Sequence, residues 1–139
     1  MSNEGTPLER QCQRRLRENH QKVLEELTAA GDAVAEDWDG PSLGEGRKLV
    51  EALRGELERR GLLEALTDVL IDLVAATGHR LQAPPVAGPP YVVVASRGPL
   101  CRATIDPGRL VVQFELFEPL EDTRHYRRLE AIEPTVALR

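Results

Sequence analysis

The stretch from Pro90 to Phe117 constrains the fold of this chain more than any other. It opens with Tyr91-Val92-Val93-Val94-Ala95, breaks at Arg97-Gly98-Pro99 and resumes from Leu100 to Ile105. A second break at Asp106-Pro107-Gly108 leads into Leu110-Val111-Val112-Gln113-Phe114-Glu115-Leu116-Phe117. Short runs of β-branched and aromatic residues between Gly/Pro breaks predict an antiparallel β-meander. The first run is apolar on both faces, as a strand covered on both sides would be. The third reads as one strand from Arg109 to Phe117. Leu110, Val112, Phe114 and Leu116 share one of its faces, and Val111, Gln113, Glu115 and Phe117 the other. Pro107 stands at the second position of the preceding turn and forbids the positive φ that a tight hairpin wants there, so a loop of about four residues is expected. A last apolar run, Thr135-Val136-Ala137-Leu138, can add an edge strand, with Pro134 tolerable at a strand start.

Upstream the apolar period changes from two to that of a helix. Thr6, Pro7 and Glu9 supply a capping residue, a first-turn proline and the acid of a capping box. Leu8, Cys12, Leu16, Val23, Leu24, Leu27 and Val34 then recur at spacings that predict one long amphipathic helix, stopped at Asp37-Trp38-Asp39-Gly40-Pro41. A second helix starts near Glu45, carries Leu49, Val50, Leu53 and Leu57, and ends at Arg59-Arg60-Gly61. The third, from about Leu62 to Ala76, is apolar around much of its circumference, with Asp68 and Asp72 marking an exposed edge. Gln82 to Pro90 is a stiff proline-rich linker.

Neither the helices nor a small sheet can hide an apolar face alone, so the halves are expected to be two layers of one domain. The expected fold is α+β: three N-terminal helices over a three- to four-stranded antiparallel meander. The helical layer covers 6–78, the linker 82–90 and the β layer 91–138. At 139 residues the chain is long enough to bury a core. With 4% aromatic residues that core must be largely aliphatic.

Net charge is −5, from 23 acids and 18 bases. This balance argues against general affinity for nucleic acid or an anionic membrane, whose binders need a concentrated positive field. No apolar run reaches the roughly 18 residues of a membrane span, and the first residues lack a signal pattern. Cys12 and Cys101 lie far apart, without the spacing of a zinc site or disulfide framework, so a reduced, cytoplasmic chain is expected.

Arg124, His125, Tyr126, Arg127 and Arg128 form the densest basic run and read as an anion or nucleic-acid site. The favoured reading is a solvated loop, since Glu118, Glu121 and Asp122 just upstream nearly neutralise the patch. Arg10, Arg14, Arg15 and Arg17 read as a solvated helix face, and Trp38 as a ring closing the end of a helix pair. His20, His79 and His125 each lack a second ligand at metal spacing. No catalytic motif is found, and neither cofactor nor metal is expected. Val111, Gln113, Glu115 and Phe117 are the candidate interface. An apolar strip with a wetter margin on an uncovered sheet face marks a partner site, and two-fold pairing is its commonest closure.

Pro89-Pro90-Tyr91-Val92-Val93-Val94-Ala95-Ser96-Arg97-Gly98-Pro99 and Gly108-Arg109-Leu110-Val111-Val112, with an Arg-x-Tyr-x-Arg element at Arg124 to Arg128, resemble a family of small uncharacterised haloarchaeal proteins. The acid-Trp-Asp-Gly bend at Asp37 to Gly40 fits the same pattern. The resemblance implies no activity and carries over no functional residue. The function therefore reads as unknown. The leading expectation is a non-enzymatic interaction module that self-associates as a homodimer through its sheet; the alternative is an anion- or nucleic-acid-binding protein using Arg124–Arg128.

Overall fold

The computed structural model describes residues 5–38, 42–43, 45–121 and 125–139. Its fold is α+β, with four helices rather than three among the described residues. The first, α1 (Pro7–Asn19), begins with the capping box. Glu9 N–H donates to the Thr6 hydroxyl at 3.1 Å, and Thr6 N–H donates to the Glu9 carboxylate at 2.8 Å. The long first helix expected from the apolar stripe breaks at His20, and α2 (Gln21–Glu36) follows at once. Only one residue departs from helical geometry. His20 takes φ −125° and ψ 26°, while its N–H still donates to the Leu16 carbonyl and Leu24 N–H to its own, each at 3.1 Å. Its ring nitrogen Nε2 lies 2.6 Å from Asp72, which also receives a bidentate pair from Arg15 at 2.9 Å. Asp72 belongs to a helix far along the chain, so a tertiary contact fixes the bend.

After α2 comes a short strand, β1 (Ser42–Leu43), then α3 (Gly46–Arg59) and α4 (Leu62–Ala76). Gly61, at φ 69°, makes the left-handed turn between them. Leu49, Leu53 and Leu57 of α3 are buried, as are Leu62, Leu66, Val69, Leu70, Leu73 and Val74 of α4. The stripes read from the sequence are therefore the buried faces.

The β half holds β2 (Val92–Ala95), β3 (Gly98–Ile105), β4 (Gly108–Gln113), β5 (Phe117–Pro119), β6 (Tyr126–Arg128) and β7 (Thr135–Leu138). They form two antiparallel sheets: four strands in the order β2-β3-β4-β7, and three in the order β1-β6-β5. The meander and its added edge strand are as expected; the second sheet is not. Helices α1, α3 and α4 cover one face of the larger sheet. That face buries Val92, Val94, Cys101, Ala103, Ile105, Leu110 and Val112.

Two features of the meander differ from the sequence reading. The turn at Asp106-Pro107 has two residues, not about four, because Ile105 pairs directly with Gly108. The positive φ falls on Gly108, at 155°, instead of on the proline. A Cβ at Gly108 would stand 2.4 Å from the Arg139 carbonyl oxygen, so that close pairing needs glycine. The third strand is also shorter, since β4 ends at Gln113. Gly98, at φ 142°, is the cause. The Phe114 carbonyl oxygen comes within 2.1 Å of where a Cβ would stand, and Leu116 and Phe117 N–H turn to the Arg97 carbonyl at 2.7 and 3.0 Å. The chain then crosses to the second sheet, and Phe117 enters the core instead of the open face.

The outer edge of β7 is protected. Leu138 N–H donates to Glu9 at 2.5 Å and the Gln13 side chain donates to the Pro134 carbonyl at 2.6 Å. Two of the groups that would template another strand are thus occupied by α1.

Candidate functional site

Alternation along the larger sheet sends every second residue away from the helices. Register sets these residues in rows across the strands. Val93, Leu100, Gln113 and Thr135 make one row, Arg102, Val111 and Ala137 a second, and Thr104 beside Arg109 a third. Val93, Leu100, Val111 and Ala137 are half-buried; Thr104, Arg109, Gln113 and Thr135 are exposed. This is the open face, an aliphatic strip with polar margins.

Of the four candidate interface residues, two lie on it. Val111 is central and Gln113 is at its margin. Glu115 follows the end of β4 and pairs with Arg97 at 3.2 Å. Phe117 is 0% exposed, its ring 5.6 Å from that of Trp38 at an interplanar angle of 40°. Phe117 cannot belong to an interface on this face, because the crossing between sheets turned it inward. Trp38 closes the α2 end of the core, as read from the sequence.

The Arg124–Arg128 run divides differently. Arg124 lies outside the described residues. His125 is exposed at the start of the return strand, its carbonyl accepting from Leu120 N–H at 2.9 Å. Tyr126, Arg127 and Arg128 form β6 rather than a loop. The Tyr126 hydroxyl accepts from Ser96 at 3.2 Å. Arg127 is paired with Glu118. Arg128 lies 2.8 Å from Asp32 on α2, as an ion pair without an aligned hydrogen bond. The conspicuous basic run is therefore largely neutralised by its own fold.

Unpaired positive charge also stands on the open face. Arg102 and Arg109 stand diagonally across β3 and β4, and Arg109 exchanges both backbone hydrogen bonds with Arg139, at 2.8 and 2.9 Å. All three line one depression of about 480 Å³ with Leu100, Thr104 and Val111. Among the described residues none of the three makes an ion pair. Asp106, in the turn at that end, makes none either. The Arg102 Nε donates to the Pro90 carbonyl at 3.0 Å, which holds the guanidinium in place with its terminal nitrogens unspent. Sequence reasoning missed this cluster, since its members are separated by stretches of chain that only the strand register closes.

The two thiols are engaged in packing. Cys12 and Cys101 are free and buried. Burial, helped by the Glu9 charge, pushes the Cys12 thiol up to about 11; burial pushes Cys101 up to about 12. Among the described residues no group of His, Cys, Asp and Glu converges as metal ligands would, and no helix is long and apolar enough to cross a membrane. No curated protein and no solved structure matches the chain. One family model does match, over residues 10–139, and by it the chain belongs to the family described as a domain of unknown function, DUF7988.

Proposed function

We propose that this chain is a small non-enzymatic binding module whose working surface is the open face of the four-stranded sheet. One observation carries the reading: helices cover a single face, leaving Val93, Leu100, Val111 and Ala137 half-exposed as a strip beside unpaired arginines. Exposed aliphatic surface rimmed by polar groups marks an interaction site. The non-enzymatic part rests on the chemistry of the side chains. Both thiols are buried in the neutral form, and His20 is tied to Asp72 at a helix bend. A reducing, cytoplasmic location suits two free cysteines, and a haloarchaeal source accords with the family resemblance.

A second reading is a homodimer through the same face. The aliphatic strip favours it. Against it, stacking two copies would bury Arg102, Arg109 and Arg139 of both without carboxylates on that face to pair them. Val111→Glu tests the proposal and separates the readings. A substitution on an uncovered sheet face should cost about 1 kcal/mol and leave the protein folded. A mass by sedimentation that rises with concentration in the parent, and falls back in the variant, identifies the second copy as partner. If Val111→Glu abolishes the folded state without any change in mass, the face is covered within the chain and the proposal fails.

A further inference from the structure

We propose that the corner of the open face built by Arg102, Arg109 and Arg139 is a binding site for a phosphate monoester of roughly nucleotide size. The inference rests on the open face being the working surface and names the ligand it takes.

The arrangement is costly to fold unless something else uses it. Like charges directly opposite on neighbouring strands destabilise a sheet. Arg109 and Arg139 are such a pair, since their backbone groups exchange hydrogen bonds and both stand one residue from an inward-facing leucine. Arg102 adds a third guanidinium at the diagonal position, within reach of long side chains. The chain has more acids than bases, yet no described acid pairs with these arginines. Six arginines elsewhere are matched: Arg15 by Asp72, Arg59 and Arg60 by Glu56, Arg97 by Glu115, Arg127 by Glu118 and Arg128 by Asp32. Others on the helices, such as Arg14, Arg47 and Arg54, make no ion pair among the described residues, so what sets this corner apart is that three unpaired guanidinium groups line one depression. Three guanidinium groups converging on one depression without a counter-ion point to an anion supplied from outside.

Shape and chemistry narrow the anion. Arginine's planar fork suits phosphate and carboxylate oxygens bidentately. A second depression, of about 410 Å³, shares Arg102, Thr104 and Arg109 with the first and extends to Leu81, Gln82 and Tyr91. Small-molecule sites commonly measure roughly 300–1,000 Å³. The phosphoryl group sits at the shared arginines and the body of the ester runs toward Tyr91, where an aromatic side chain offers a stacking partner. A polyanion is disfavoured, because the net charge of −5 repels a long chain while a local cluster still attracts a compact ion.

Titration of the full chain with inorganic phosphate, adenosine monophosphate, adenosine and a single-stranded oligonucleotide, followed by amide and arginine Nε–H resonances, tests this. Adenosine monophosphate should shift the signals of Arg102, Thr104, Arg109 and Tyr91, bind more tightly than inorganic phosphate, and lose affinity with added salt; adenosine should do nothing. Removing one charged hydrogen-bonding partner should weaken binding roughly tenfold or more, in Arg109→Gln and again in Arg102→Gln. Arg127→Gln should leave it unchanged. Amide dispersion in each variant shows that the fold persists. The proposal is overturned by no response to any phosphate at millimolar concentration, by shifts centred on Arg127 and Arg128, by phosphate binding as well as the ester, or by an oligonucleotide binding far more tightly than the mononucleotide. No phosphate response in the parent, together with a folded Val111→Glu, would leave the open-face reading standing and sink only the ligand.

Discussion

Truncation of Phe117 separates a core residue from an interface residue, and the magnitudes are large enough to be decisive. The ring is 0% exposed and lies against Trp38. Phe→Ala at such a site costs about 3–5 kcal/mol in lost transfer energy and cavity. The upper half of that range is expected here, because the Trp38 ring contact, worth about 0.5–1.5 kcal/mol, disappears as well. Phe117→Leu keeps most of the volume and should cost about 1.5 kcal/mol. Urea unfolding has a slope of about 1–3 kcal/mol/M, so a loss of about 4 kcal/mol lowers the midpoint by roughly 1.3–4 M. Trp38 is the sole tryptophan, so its emission reports the packing at this site while far-UV circular dichroism reports the whole fold. If the alanine variant consumes most of a total stability of about 5–15 kcal/mol, the leucine variant still gives a measurable shift. The reasoning is refuted if both variants keep the parent midpoint and the parent Trp38 emission, or if either converts a dimer to a monomer without loss of stability.

Three further outcomes are expected. Cys12 and Cys101, with thiols pushed up to about 11 and 12 by burial, should react with a thiol reagent only at the rate of unfolding; fast labelling of either in the native protein contradicts their packing. Glu9 accepts from Leu138 and Thr6 N–H, and these bonds, Leu138 first, hold its carboxyl below the ordinary 4.5. Its contribution to stability is therefore full above that value and lost as pH falls through the lowered one, and Glu9→Gln should flatten the acid limb of a stability–pH curve. Residues 1–82 and 83–139 expressed separately should each lack a sharp thermal transition, since the helices and the larger sheet bury one another's apolar faces; a fragment with dispersed amide signals would show that they fold independently.

What the sequence made legible is the part governed by local period. The spacing of Leu49, Leu53 and Leu57, the span Leu62–Ala76 and the capping box at Thr6 all rest on contacts within a few residues. The meander and its edge strand follow from alternation and Gly/Pro breaks in the same way. The misreadings at His20 and Phe117 both arise where a distant partner decides. The apolar stripe runs unbroken across His20, and only Asp72, on another helix, holds the bend. Leu116 and Phe117 are adjacent and both buried, which period two does not allow on one face. That pair, followed by Pro119, was the available sign that the strand had ended.

The two arginine clusters give the same lesson in charge. A dense run such as Arg127-Arg128 repels itself in any compact state, so the fold must bring counter-ions to it, here Glu118 from the neighbouring strand and Asp32 from α2. Density along the chain therefore marks the place where neutralisation is most needed. Arg102, Arg109 and Arg139 are scattered along the sequence, and nothing local signals that they meet. Their approach is a consequence of register: Arg102 opposite Val111, Thr104 opposite Arg109, and Leu110 opposite Leu138. A one-residue slip would send each of these arginines to the buried face. The pairing that buries Leu110, Val112 and Ile105 thus also fixes the three guanidinium groups outward and together. Burial of the core and concentration of free charge are two results of one alignment, so a substitution that loosens the inner face, such as Leu110→Ala, should also disperse the outer cluster.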